Sequence, residues 1–178
     1  MIDGVPSELE RLIKVKGLPG EAVMVEADEA ERAALAQRFG LTRIDNLRAV
    51  VELEQRPTAI RATGTLTAQF LQPCSVSGED FAVHVDEPLD LRFVEAGASD
   101  PLVDEDAEIE LEAVDCDDID YSGEAFDLGE AVAQTLGLAI DPYAEGPGAD
   151  EARAKAGIVK EGEQEGPLAD MLRGLTKD

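Results

Sequence analysis

From Leu47 to Phe70 the chain alternates apolar and polar residues almost one for one. Leu47, Ala49, Val51 and Leu53 share one parity, with Arg48, Glu52 and Glu54 among those on the other. After a turn at Gln55-Arg56-Pro57, Ile60, Ala62, Gly64, Leu66, Ala68 and Phe70 alternate with Arg61, Thr63, Thr65, Thr67 and Gln69. A period of two predicts half-buried strands, and two in succession predict a long antiparallel hairpin with one face in the core and one in water. Ser77-Gly78 turns the chain into a third strand, where Phe81, Val83, Val85, Leu89, Leu91 and Phe93 share a parity and Pro88 marks an edge or a bulge. Residues 107–114 predict another strand, with Ile109, Leu111 and Ala113 opposed to Glu108, Glu110 and Glu112. Segments 9–15 and 22–27 alternate well enough for two more.

Elsewhere the period lengthens. Asp28 followed by Glu31 has capping-box spacing, the run 29–39 is rich in strong helix formers, and Gly40 ends it, which predicts a helix over 29–39. Asp127 and Glu130 repeat that spacing ahead of Leu128, Val132, Thr135, Leu136 and Ala139, an apolar stripe that predicts a second helix over 127–139 lying on the sheet. Beyond Tyr143 the chain turns to Gly, Pro, Ala and Glu, a composition that does not build a packed core. The expected fold is α+β: an antiparallel sheet of about five or six strands packed by two helices, as one domain over 1–143. A mobile acidic tail over 144–178 follows, with a short amphipathic helix near 167–175.

Composition changes this picture in two ways. The chain is 178 residues long and 44% hydrophobic but only 4% aromatic with no Trp, so the core of one ordinary domain has to come from Leu, Val, Ile and Ala. The net charge is −25 and unevenly placed: residues 1–64 carry nine basic and eleven acidic side chains, residues 65–178 six and twenty-nine. From Phe93 to Ala152 nineteen acids meet no Lys or Arg. Such a stretch repels a phosphate backbone within a Debye length of roughly 8 Å and attracts basic polypeptides. Between Arg32 and Gly78, Arg32, Arg38, Arg43, Arg48, Arg56 and Arg61 outweigh three acids. These six are the candidate contacts for RNA or another partner. The first residues lack the basic start and apolar run of a signal peptide, and no stretch reaches the roughly 18 apolar residues of a membrane span, which predicts a cytoplasmic protein without membrane contact. Two cysteines are too few for a disulfide framework and are expected reduced there.

Candidate chemistry is sparse. Cys74 continues the inward parity of Phe70 and Gln72, whereas His84, the single histidine, has the outward parity. Glu79 and Asp80, the nearest charges, would raise the thiol's pKa, so a buried structural cysteine outweighs a metal ligand or a nucleophile. Asp118 opens D-x-D-x-S-G, the first half of a calcium loop, but the twelfth position is Gly129 and the acid, Glu130, comes one residue late. An acidic divalent-metal-binding module with Asp118 and Asp120 remains the alternative function. Without a phosphate-binding loop, a dinucleotide fingerprint or a metalloprotease or nucleophile-elbow motif, neither an enzyme nor a cofactor is expected.

Four stretches together are familiar: "ERAALAQRFGL", "TGTLTAQFLQPCSVSGEDF", "FDLGEAVAQTLGLAIDPYAEGPGA" and a closing "GPLADMLRGL". Over nearly the whole chain the order resembles the YceD family, the large ribosomal RNA subunit accumulation proteins, in its alphaproteobacterial form. The motif positions are Cys74, Gly129, Glu130, Gln134, Leu136, Asp141, Pro142 and Tyr143. The resemblance implies a non-enzymatic factor for 23S rRNA accumulation and large-subunit assembly. Many members carry a second cysteine three residues after the first, suggesting a metal site; here that position is Ser77, so no zinc site carries over. Charge then points to a basic ribosomal protein or assembly factor as partner, with rRNA a second candidate at the Arg-bearing hairpin.

Overall fold

The computed structural model describes residues 7–97 and 117–158. The strand expected at 107–114 and the helix expected at 167–175 lie outside the described residues. In chain order the elements are β1 (Leu12–Lys14), β2 (Val23–Glu26), α1 (Glu29–Phe39), β3 (Arg43–Gln55), β4 (Ala59–Pro73), β5 (Asp80–Glu95), β6 (Asp117–Tyr121), β7 (Ala125–Asp127), α2 (Leu128–Ala139) and α3 (Ala149–Lys155). The class is α+β, as expected. A five-stranded sheet runs β2-β3-β4-β5-β6, and β1 pairs with β7 in a separate two-stranded sheet.

The hairpin is as long as its alternation implies. β3 and β4 pair antiparallel from Arg43↔Leu71 to Gln55↔Ile60, with one irregularity between Ile44 and Asn46. The sheet departs from expectation at β6, which runs parallel to β5 from Leu91↔Asp117 to Glu95↔Tyr121. A parallel partner needs a crossover of a dozen or more residues, and the chain between β5 and β6 is long enough to supply one. Pro88 does not break the parity of β5: Val85, Leu89, Leu91 and Phe93 are all buried around it. Among the described residues β6 pairs only with Leu91–Glu95, so Pro88 falls where no ladder bond is needed on that side.

One face of the sheet is the core. Leu47, Ala49 and Val51 of β3, Ile60, Ala62, Leu66, Ala68 and Phe70 of β4, and Phe93 of β5 are essentially inaccessible. Leu35 and Ala36 of α1, and Leu128, Val132 and Leu136 of α2, belong to the same cluster. Aromatic packing is limited to a few rings, of which Phe93 and Phe126 meet at 4.1 Å between centroids. Two glycines permit close backbone approach. A Cβ at Gly64 would lie 2.0 Å from the Val50 carbonyl oxygen, and one at Gly129 would lie 1.8 Å from that of Leu9.

The described residues divide into two compact units, 7–72 with 82–97 and 117–141, and 73–81 with 142–158. The cysteine turn thus groups with the chain after Asp141, and α3 forms where the sequence reading has only a tail.

Replacing Gly129 with Ala forces backbone to move at Leu9, so unfolding in urea should show a loss of about 1–3 kcal/mol. Gly20→Ala, with no atom within 4 Å of the new methyl, should change stability by less than about 0.5 kcal/mol.

Candidate functional site

The motif positions of α2 form a junction. Asp127 caps the helix, its Oδ1 accepting from the N–H groups of Gly129 (2.9 Å) and Glu130 (3.2 Å) and from Arg11 N–H of the β1 segment (2.8 Å). The capping box implied by Asp127 and Glu130 is only half formed, in contrast to α1, where Asp28 and Glu31 exchange both bonds. Instead the Glu130 carboxylate takes two bonds from the Arg38 guanidinium, at 2.8 and 3.0 Å, plus Gln134 Nε2 at 3.1 Å and Ser7 Oγ at 3.2 Å. Arg38 also donates to Glu8 at 2.9 Å. Glu31 in turn holds Arg11 through two bonds of 2.7 and 2.9 Å. The guanidinium beside each holds the Glu130 and Glu31 carboxyls below the ordinary range, and the Arg38 pKa is pushed up correspondingly. Leu136 is fully buried on the inner side of α2.

The cysteine turn is bonded to the chain after Asp141. Cys74 is 4% exposed, its N–H donates to Glu79 O and its carbonyl accepts from Gly78 N–H. Its Sγ accepts from the N–H groups of Val76 and Ser77, both at 3.4 Å. Ser75 reaches the chain after Asp141 twice, N–H to Ala144 O at 3.1 Å and Oγ to Tyr143 O at 2.9 Å. The ring of Phe81 lies against Gly146, where a Cβ would come within 2.8 Å of it. The thiol pKa is lowered to about 7, chiefly by the Ser77 hydroxyl and N–H, helped by the N–H groups of Gly146 and Val76. This corrects the expectation that Glu79 and Asp80 would raise it: donors on the sulfur outweigh carboxylates that only share the turn. His84 is exposed, and no hydrogen bond joins it to Cys74. The site is a closed cradle for a thiolate without a base. Asp141 accepts from Gln72 Nε2 through its carbonyl oxygen, and Tyr143 is 80% exposed.

The six arginines are dispersed. Arg32 and Arg38 lie on α1, Arg43 at the start of β3, Arg48 on its outer face, Arg56 in the turn and Arg61 on β4. Arg38 is bound to Glu130 and Glu8, Arg43 to Asp45, Arg56 to Glu54 and Arg61 to Asp90. Arg32 donates to Ala27 O at 2.6 Å. Among the described residues Arg48 forms no ion pair. The local surplus of positive charge along the chain is therefore not an exposed cationic surface.

Asp118 and Asp120 belong to strand β6, and Asp118 is paired with Arg92 at 3.2 Å. Among the described residues no three His, Cys, Asp or Glu side chains are grouped to hold a metal ion. Surface cavities of about 480, 570 and 550 Å³ contain neither Cys nor His in their lining. No helix among the described residues is long and apolar enough to cross a membrane.

Two outcomes follow from the shifted groups. A carboxylate with a depressed folded pKa stabilises above its unfolded value and loses that contribution as pH falls through the folded one. Glu130→Gln should therefore cost about 1 kcal/mol at pH 7, between an exposed and a buried pair, and the gap from the parent should close as pH drops below the ordinary 4.5. For Cys74 the same sign places the window higher: between its folded value of about 7 and the ordinary 9.0, the parent should gain stability over Cys74→Ala as pH rises. Chemical unfolding at each pH measures both.

The chain matches no curated protein and no solved structure. A protein-family model described as large ribosomal RNA subunit accumulation protein YceD matches residues 62–170. All six arginines precede that stretch, whereas the cysteine turn, α2 with its cap Asp127, and Asp141-Pro142-Tyr143 fall inside it. The match spans well over half of the 178 residues, and the chain belongs to the YceD family, whose description assigns it a role in the accumulation of large-subunit ribosomal RNA.

Proposed function

We propose that the protein is a non-enzymatic factor for 23S rRNA accumulation and large-subunit assembly, working in the cytoplasm by binding a basic ribosomal protein or assembly factor. What carries this reading is the fate of the cations. Affinity for a nucleic acid comes from Lys and Arg neutralising phosphates and releasing counterions. Here Arg38, Arg43, Arg56 and Arg61 already face carboxylates. With a net charge of −25, the surface is complementary to a polycation, and complementary charge speeds encounter and selects partners. A basic protein held on such a surface is kept from unproductive contacts until rRNA, a stronger polyanion, competes for it. The motif residues serve this role as architecture: the α2 junction and the cysteine turn hold the shape that presents the charge.

Direct rRNA contact has one supporting feature, that Arg32 and Arg48 form no ion pair among the described residues, but two arginines on different elements among carboxylates yield little counterion release. A divalent-metal module is disfavoured by Asp118, which is in a strand and bound to Arg92.

Binding of the purified chain to isolated large-subunit ribosomal proteins and to 23S rRNA fragments, compared at low and high salt, tests the reading. At least one basic ribosomal protein should bind, weakening about tenfold or more as salt rises, and Arg48→Glu, Arg56→Glu and Arg61→Glu together should not reduce that binding. Preferential binding of rRNA, lost in the triple variant, would replace this reading with direct RNA recognition.

A further inference from the structure

The outer face of the five-stranded sheet is uncovered among the described residues, and it is not uniformly polar. Met24 on β2 and Val50 on β3 are direct cross-strand partners, 55% and 40% exposed. Thr65 on β4 lies opposite Val50. Single exposed apolar residues are ordinary, but two in register make a small anchor site on an otherwise wet surface.

Next to it lies a hollow. Glu52 follows Val50 by two residues on the same face, about 7 Å along the strand, and Thr63 is its partner on β4. Together with Leu53, Glu54 and Glu21 from the segment before β2, they line a cavity of about 550 Å³. Three carboxylates meet there with no cationic side chain in the lining. Among the described residues Glu54 forms an ion pair with Arg56 at 2.7 Å, with side chains 61% and 50% exposed, a pair that a competitor displaces at little cost. Glu21 and Glu52 form no ion pair among the described residues. The cations at its edge are Arg56, bonded to Glu54, and Arg61, the cross-strand partner of Glu54, while Arg48 lies across from Glu26.

We propose that this face docks an extended basic segment of a partner protein, with a Lys or Arg side chain in the hollow among Glu21, Glu52 and Glu54 and an apolar side chain on Met24 and Val50. In an extended chain, residues two apart project to the same side at nearly the spacing that separates Val50 from Glu52. The segment recognised therefore has the pattern basic–any–apolar. Charge chooses the occupant, because three carboxylates and no cation line the hollow, in a chain of net charge −25. The proposal rests on the reading of a basic protein partner and assigns the surface that partner uses.

The probe is a fluorescent peptide, Lys-Thr-Leu-Thr-Lys-Thr-Leu, with a second peptide carrying Ser in place of Leu, titrated into the full chain. The first should bind more tightly than the second. Glu52→Lys should weaken it about tenfold, and Val50→Thr and Met24→Thr about threefold each, whereas Glu151→Lys, the same charge change on α3, should weaken it less than twofold. The three substituted sheet positions are exposed, and an unchanged unfolding midpoint verifies folding. Equal loss with Glu151→Lys, or no preference for Leu over Ser, would overturn the docking face and leave the basic-partner reading standing. Failure of any basic peptide to bind even at low salt would remove that reading too. Tighter binding of an oligouridine than of the peptide, lost with Arg48→Glu, would assign the face to RNA instead.

Discussion

One carboxylate oxygen organises the covered side of the molecule. Asp127 Oδ1 accepts three backbone N–H groups, two from the first turn of α2 and one from Arg11. This single acceptor ends β7, starts the helix and clamps the β1 segment against the helix entrance, where Leu128 N–H also donates to Arg11 O at 3.0 Å. Such an approach leaves no room for a side chain at the second helical position, which explains Gly129. Glu130 then points away from the cap and reaches Arg38 at the end of α1. Helices α1 and α2 and the first strand are thus fixed to one another through Asp127 and Glu130, which the sequence marks as a helix cap.

With these helices on one side, no described element covers the opposite face of the sheet, and the pattern of β3 and β4 shows what that entails. Inward positions are Leu, Ala, Val, Ile and Phe; outward ones are Arg, Glu, Thr and Gln. A row of Thr on a central strand suits this situation, since its β-branch favours extended backbone while its hydroxyl stays hydrated. Met24 and Val50 depart from the pattern, two apolar residues in register on neighbouring strands.

Period-two alternation made the hairpin and β5 legible, because burial of one face imposes it on the residues themselves. The capping box of α1 was legible to the residue for a similar reason: its two bonds are local. β6 was hidden because Asp117–Tyr121 offers only Ile119 and Tyr121 amid acids, too short a run for a period to emerge, and its parallel pairing with β5 leaves no turn signal. β1 and β7 pair over only three residues each, too few for a period to emerge. α3 spans seven residues, also too few for a stripe to declare itself. Cys74 was placed inside correctly from parity, yet its pKa is lowered chiefly by the Ser77 hydroxyl and N–H, with Gly146 and Val76 N–H helping, donors that only the folded turn brings to the sulfur.

Charge was the least legible property, and the reason bears on function. Counting along the chain gives a cationic stretch at 32–61, but a charge acts through its neighbours in space. Arg61 finds Asp90 and Arg38 finds Glu130, partners drawn from the acid-rich half. Each such pair removes one cation from the surface while lowering the excess of carboxylates by only one of many. Pairing in a strongly acidic protein therefore does not even out its surface; it uses up the minority sign and leaves the majority exposed. A fold that places its arginines at helix junctions and strand pairs becomes more uniformly attractive to polycations than its sequence suggests, and correspondingly less able to hold RNA by itself. For a member of a family tied to ribosomal RNA accumulation, that constraint directs attention to the basic proteins that travel with the RNA.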